Sequence, residues 1–486
     1  MSIEQAEAGF QARHPGYEQA AVERLRRSEY GRLDARRQIY LDYTGGGLHA
    51  ECQLREQFDL LAREVLGNPH SHNPSSMAMT ERVARARDYV LEFFNAPPED
   101  YVVVFTPNAS GALRLVGEAY PFTTDSRFLL SFDNHNSVNG IREFARRRGA
   151  GLRYVALRRD DLRFDDEELR GELQRPKTDG EHLFAYPAQS NFSGVQHSLE
   201  WIAEAKEAGW DVLLDVAAFV PTNRLDLARW QPDFTVLSFY KMFGYPTGLG
   251  CLLARREALA KLERPWFAGG TITIASVQGG GHYQAESEAA FEDGTIDYLN
   301  IPAVEIGLRY LARIGLDVVH QRVMALTSYL LEELSGLFHS NGNPLVEIFG
   351  PRDGTARGGT LAITFLDPAG VAMDERRIET LAAEAGISLR TGCFCNPGAG
   401  EIAHGLSAAQ MIAFFTSGER VTFAQLRSTV RNRYGKSIAS IRVSVGIASN
   451  FADVFRFVEF ARGFLDRTAA EVGEEPDECA CSERGA

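Results

Sequence analysis

The chain has 486 residues, 44% hydrophobic and 24% charged, the profile of a folded protein long enough to bury a large core. Its net charge of −14 argues against general affinity for nucleic acid or an anionic membrane surface. Six unevenly spaced cysteines argue against a disulfide framework, and no apolar run reaches membrane-spanning length, so a cytoplasmic, enzyme-sized protein is expected.

The N-terminal stretch MSIEQAEAGFQARHPGYEQ has no apolar core and carries early acids, so it does not read as a secretory leader. Residues 1–39 read as an amphipathic, charged helical arm that leads into a short strand, IYLDY, and a tight turn, TGGG. From about residue 100, short apolar runs alternate with amphipathic helices: YVVVFT, FLLSF, LRYVAL, LFAYPA, DVLLDVAAF, FTVLSFY and GCLLAR. Runs of this length between helices predict an α/β fold with a mostly parallel, doubly wound sheet, in which ligands bind at the carboxyl ends of the strands. From 301 one long helical stretch precedes fewer, wider-spaced strands (LAITFL, SIRVSV). The expected organisation is therefore an arm over 1–39, a large domain over 40–300, a smaller α+β domain over 301–470, and an acidic, disordered tail over 471–486.

The strongest local signal is LSFYKMFGYPTGLG, 237–250, where Lys241 sits just past a strand ending at Ser238 and before a glycine-rich turn. A lysine at that edge of an α/β sheet can form a Schiff base with an aldehyde cofactor; a solvated surface lysine is the plainer reading. Asp215, closing the preceding strand DVLLD after three apolar residues, shifts the balance. A partly desolvated carboxylate needs a partner, and a protonated pyridine nitrogen supplies one. A second signal is LRTGCFCNPG, 389–398, which places Cys393 and Cys395 around one Phe in a Gly-punctuated loop downstream of Arg390. A thiol beside a cation is placed to be a thiolate.

YLDYTGGG, GNPHSHNPSS, PAQSNFSG, SFYKMFGYPTGLG, FEDGTIDYLN and LRTGCFCNPG occur in this order, and together they resemble the class V aminotransferase group of fold-type I pyridoxal-phosphate enzymes. Within that group the chain is most similar to the N-terminal cysteine desulfurase domain of molybdenum cofactor sulfurases, over about residues 17–465. The resemblance implies pyridoxal 5'-phosphate as cofactor. His135 would stack on the pyridine ring and serve as an acid–base group, and Asp215 would meet the ring nitrogen. Ala109 and Ser110, opening the helix GALRLVGEAY, would bind the phosphate together with Ser238 and Tyr240, which suits the free N–H groups of a helix N-terminus. Asn191 would lie near the phenolic oxygen. Gly294 and Thr295 would reach the phosphate of a second subunit, implying a homodimer. Arg442, with Arg390, would clamp the substrate α-carboxylate. Two departures stand out: Ala218 and Tyr240 replace residues that many cysteine desulfurases carry as Gln or His, and as His. Ala218 cannot bond the phenolic oxygen, which leaves that task to Asn191 or Gln189.

The implied activity takes L-cysteine to alanine. Lys241 would remove the α-proton, Cys395 would attack the sulfur to become a persulfide, and a flexible loop would carry that sulfur to an unidentified acceptor. Cys393 is read as a relay or a bystander, Cys52 and Cys251 as structural, and the tail pair Cys479/Cys481 as a sulfur receiver or a bystander. C-x-C is not the usual zinc spacing, and His70 and His72 do not complete a set, so no metal site is expected. The alternatives are an epimerase, lyase or aminotransferase on another amino acid, which would need no thiol, and a non-catalytic sulfur-transfer scaffold.

Overall fold

The computed structural model describes residues 2–175, 178–416 and 421–475. Its strands, in chain order, are β1 (Ile39–Tyr40), β2 (Tyr101–Thr106), β3 (Arg127–Ser131), β4 (Gly151–Val155), β5 (His182–Pro187), β6 (Asp211–Asp215), β7 (Phe234–Ser238), β8 (Gly250–Arg255), β9 (Ile272–Ala275), β10 (His282–Gln284), β11 (Val346–Phe349), β12 (Thr360–Phe365), β13 (Ile387–Ser388), β14 (Arg390–Gly392) and β15 (Ser440–Ser444). Seven of them form the central sheet in the order β2-β8-β7-β6-β5-β3-β4. Only β8 runs against its neighbours; the pairs β3–β4, β3–β5, β5–β6 and β6–β7 are parallel. Every residue of β2, β5, β6 and β7 is buried, which is why these runs are apolar throughout rather than alternating: helices cover both faces. The α/β class and the mostly parallel sheet expected from the sequence are thus present.

A second, antiparallel sheet has the order β11-β12-β15-β14. Strand β1 does not join the central sheet. It pairs in parallel with β13, and Asp42 then bridges to Ser444 of β15, so the YLDY segment is carried to the smaller sheet. The N-terminal helices lie against the C-terminal half of the chain: the Phe10 ring sits 4.8 Å from Phe451 and 5.9 Å from Tyr329. Arg26 forks onto Asp453 with Nη1–Oδ2 at 2.6 Å and Nη2–Oδ1 at 3.2 Å.

Two sequence expectations change. The long helical stretch after 301 is two helices, Ile301–Ile314 and Leu316–Ser335, because Gly315 between them takes φ +88°, a backbone conformation that ends a helix and that few residues other than glycine adopt. The acidic tail is ordered further than its composition suggests. Ala469–Val472 is helical, and Glu474 and Glu475 then meet Arg431 and Arg377. Residues 476–486, with Cys479 and Cys481, lie outside the described residues. No helix among the described residues is long and apolar enough to cross a membrane.

Candidate active site

The carboxyl ends of the parallel strands converge on one cavity. It is about 150 Å³ in volume and is lined by residues that follow β2 (Asn108, Ala109, Ser110), β3 (His135, Ser137), β5 (Gln189, Asn191), β6 (Asp215, Ala217, Ala218) and β7 (Ser238, Tyr240, Lys241). A cavity of that size has room for a six-membered ring. The helix Ala109–Ala119 points its N-terminus into it. Asn108 caps that helix by accepting from the Gly111 amide at 2.9 Å, and the Ala109 amide donates to Ser238 Oγ at 2.9 Å. Close approach explains one glycine: a Cβ on Gly250 would lie 2.5 Å from the Leu237 carbonyl oxygen and 2.7 Å from Asn108 backbone.

Lys241 belongs to the short helix Phe239–Phe243 that β7 feeds, and it lines the cavity. Burial pulls its ammonium below the ordinary lysine value; Asp215 opposes this, and Arg442 and Arg390 add to it. Asp215 is buried, and one carboxylate oxygen accepts from the Ala217 amide at 2.9 Å. His135 accepts the Ser137 amide on Nδ1 at 3.1 Å, so its neutral ring carries the proton on Nε2. Burial lowers its pKa, and the neighbouring Lys241 lowers it further.

The two arginines expected to take a carboxylate are cross-strand neighbours, Arg390 on β14 opposite Arg442 on β15. Between them stands Asp42, which the sequence reading passed over. Its Oδ1 accepts from Arg442 Nη2 at 2.9 Å, and its Oδ2 accepts from Arg390 Nε and Nη2 at 3.0 and 2.8 Å. The TGGG turn makes this possible: a Cβ on Gly45 would fall 2.6 Å from the Asp42 carboxylate and 2.8 Å from Arg390. The same turn meets the lysine helix, where the Gly47 amide donates to the Tyr240 carbonyl at 3.0 Å.

The stretch read as a flexible cysteine loop is a short strand, a tight turn and a helix start. It runs from β14 through Cys393, Phe394 and Cys395 to the helix Pro397–Ala403 capped by Asn396. Phe394 and Cys395 take φ +56° and +53°, the left-handed region. Cys395 is exposed and its carbonyl accepts from the Asn136 amide at 2.6 Å, one residue from His135. Cys393 is half-buried, and burial raises its pKa. Asn396 is fixed from the large sheet. It donates to Asp133 at 2.6 Å, and the same fully buried carboxylate holds Ser190 at 2.7 Å and His197 Nε2 at 2.8 Å.

Most of the expected residues therefore meet. Ala109, Ser110, His135, Asn191, Asp215, Ser238, Tyr240 and Lys241 line one cavity, with Arg390 and Arg442 paired through Asp42 and the Cys395 turn bonded next to His135. Asn191 and Gln189 are engaged elsewhere: Asn191 donates to the Phe394 carbonyl at 2.7 Å and accepts from Asn396 at 3.0 Å, while Gln189 donates to the Ala218 carbonyl at 2.9 Å. Gly294 and Thr295 do not line this cavity; Gly294 turns at φ +72°, its amide on the Gly269 carbonyl. Cys251 is buried and Cys52 half-buried. Among the described residues no group of three or more His, Cys, Asp or Glu could hold a metal ion. Asp42 and Asp133 were missed although Asp42 lies inside the quoted motif YLDYTGGG and Asp133 stands two residues before His135. An aspartate at a strand end is the signal that could have found them.

A half-buried lysine sharing a cavity with a buried carboxylate, at the strand ends of a doubly wound sheet, defines a pyridoxal-phosphate enzyme. The chain belongs to the family described as Aminotransferase class-V, whose model matches residues 39–457. Within it, the chain is 35% identical over 469 residues to a molybdenum cofactor sulfurase of Solanum lycopersicum, covering 90% of this chain and 56% of that protein. It is 34% identical over 483 residues to the Homo sapiens molybdenum cofactor sulfurase, covering 95% and 53%. The chain thus spans a little over half the length of these relatives. In fold it is similar to the apo cysteine desulfurase of Thermococcus onnurineus NA1, with TM-score 0.75, 22% identity and coverage of 91% and 98%. It is also similar to the cysteine desulfurase CsdA of Escherichia coli, with TM-score 0.71, 20% identity and coverage of 91% and 99%.

Proposed function

We propose that this protein is a cysteine desulfurase that converts L-cysteine to alanine and holds the sulfur as a persulfide on Cys395. The observation that carries this reading is the exposed Cys395, bonded through its carbonyl to the residue after His135, which lines the lysine cavity, with two arginines nearby to take a carboxylate. An epimerase or aminotransferase needs no thiol there.

The residues present fit the cofactor. Asp215 lines the cavity and suits the ring nitrogen. The Ser110 amide at the helix N-terminus and the Ser238 hydroxyl suit the phosphate, and Lys241 suits the aldehyde. When bound, pyridoxal phosphate supplies an aldehyde for the amine and a ring that stores the electron pair released at Cα. The residues of the chain do the rest. Lys241, depressed toward its neutral form, takes the α-proton. Neutral His135 offers a proton on Nε2 at the cavity wall. Arg442, steadied by Asp42 and the Asn191 carbonyl, orients the carboxylate. The Cys395 thiolate attacks the substrate sulfur: an S–S bond forms, the substrate Cβ–S bond breaks, Cβ gains a proton, Lys241 returns one to Cα, and alanine leaves.

The sulfur then passes to an acceptor that this reading leaves unnamed. The relatives named as molybdenum cofactor sulfurases support that cofactor as one candidate. We propose that the protein works in the cytoplasm as a homodimer. Gly294 and Thr295, outside their own cavity, would reach the phosphate of the second copy. Exposed apolar side chains on the helix Glu51–Arg63 (Leu54, Phe58, Leu61) and on β9 and β10 (Ile274, Tyr283) support that pairing.

The test compares wild type with Cys395→Ala, each incubated with L-cysteine. Wild type is expected to release alanine and carry persulfide, while the variant keeps the visible absorbance of the bound cofactor and does neither. Two coloured, equally inactive proteins would discard the desulfurase reading and leave another amino acid as substrate.

A further inference from the structure

Arg442, the residue this reading needs for the substrate carboxylate, is closed to it. Its side chain is 3% exposed. Nη1 donates to the Asn191 carbonyl at 3.1 Å and Nη2 to Asp42, while Nε is buried with no partner. The guanidinium lies 4.8 Å from the centre of the Phe394 ring, the residue between the two cysteines. A carboxylate can reach Arg442 only if something beside it moves.

Of the groups around Arg442, Phe394 is the easiest to displace. The Asn191 contact is backbone. Asp42 is held by both arginines and backed by the turn at Gly45, and moving it would break its buried pair with Arg442. Phe394, although buried at the edge of the core, is held by no charge: its face lies on the guanidinium, its ring tilts against Phe192 at 5.5 Å, and its carbonyl takes one bond from Asn191. It sits at φ +56°, a conformation a phenylalanine leaves with relief of strain.

Resting on the substrate reading above, we propose that Phe394 is a positioning residue. It covers Arg442 until the amino acid's carboxylate displaces it, and its departure reorients Cys395. The coupling is mechanical. Phe394 and Cys395 are consecutive and both left-handed, so the turn cannot keep one in place while the other leaves. The bonds from Asn191 to the Phe394 carbonyl and from the Asn136 amide to the Cys395 carbonyl are contacts such a movement breaks. The spacing C-F-C thereby acquires a use: the nucleophile is released by the arrival of its substrate.

The experiment follows amide hydrogen exchange at Asn136 in the cofactor-loaded protein, with and without saturating L-alanine, which has the carboxylate and amine but no sulfur. Calorimetry measures L-alanine affinity in parallel. In wild type, L-alanine is expected to speed exchange at Asn136. In Phe394→Ala, exchange is already fast and unresponsive, and L-alanine binds about tenfold tighter, the scale of a desolvated cation–π contact. A loop merely loosened by the substitution would leave wild type without a ligand response. L-Alanine that binds wild type while leaving Asn136 exchange unchanged or slower overturns the coupling, as does Phe394→Ala with unchanged or weaker affinity. If neither L-alanine nor L-cysteine binds at all, the substrate reading itself fails and the coupling falls with it.

Discussion

Removing the Asp133 carboxylate should cost far more than changing its charge. The side chain is fully buried, and its two oxygens hold Ser190 Oγ at 2.7 Å, Asn396 Nδ2 at 2.6 Å and His197 Nε2 at 2.8 Å. His197 in turn stacks on Phe164 at 3.6 Å with 4° between the planes, so it cannot swing to another partner without losing that contact. Each bond to a charged group contributes about 1.5–3 kcal/mol, and removing the acceptor leaves three buried donors unpaired. Allowing for partial relaxation and non-additivity among neighbours, Asp133→Ala should lose about 4–5 kcal/mol. That is a large part of the roughly 5–15 kcal/mol that separates a native domain from its unfolded state. Asp133→Asn keeps an acceptor for Ser190 and Asn396 and turns an N–H toward His197, whose other tautomer can accept it. It should lose about 1–2 kcal/mol. The assay is the urea midpoint of each cofactor-loaded protein, followed by tryptophan fluorescence. If the two variants agree within about 0.5 kcal/mol, or if Asp133→Ala loses less than about 2 kcal/mol, the hub does not hold the cysteine turn as argued.

Two further outcomes are expected. His404 is half-buried against the edge of Phe349 and bonded to Ser440, and desolvation pushes its pKa from 6.5 down to about 4. The unfolded chain therefore takes up the proton first, so its share of stability is complete above pH 6.5 and is lost as pH falls toward about 4, in all about 3 kcal/mol. His404→Gln should flatten the acid limb of the stability–pH curve by that amount; superimposable limbs would refute the assignment. A Cβ on Gly47 would lie 2.9 Å from the Lys241 carbonyl and 3.0 Å from that of Tyr240, whereas one on Gly46 would sit an ordinary 3.7 Å from the Tyr240 ring. Gly47→Ala should displace the lysine helix and weaken pyridoxal phosphate binding about tenfold or more in an absorbance titration, with Gly46→Ala near wild type. Equal affinities would show that the turn does not position Lys241.

Much of the site could be read from the chain because its residues are local to strand ends. Apolar runs of five or six residues, each followed by a polar group, place Asp215, Ser238 and Lys241 at one edge of a parallel sheet, and the order of the runs is enough to say so. Period and composition also mark the helix whose N-terminus faces the cavity. What the chain alone could not decide is every relation between segments hundreds of residues apart. Asp42 reaches Arg442 because β1 leaves the large sheet and pairs with β13. Asp133 reaches Asn396 across 263 residues of chain. Phe394 lies on Arg442 through an antiparallel pairing of two short strands. A buried charge is satisfied by whatever partner the packing brings to it, and the partner leaves no trace in the residues on either side. The helix break at Gly315 was invisible for a related reason: the apolar pattern continues on both sides, and only the packed backbone shows the left-handed turn between them. Sequence thus determined which chemistry the strand ends carry; tertiary structure decided which charges face each other and what covers the arginine.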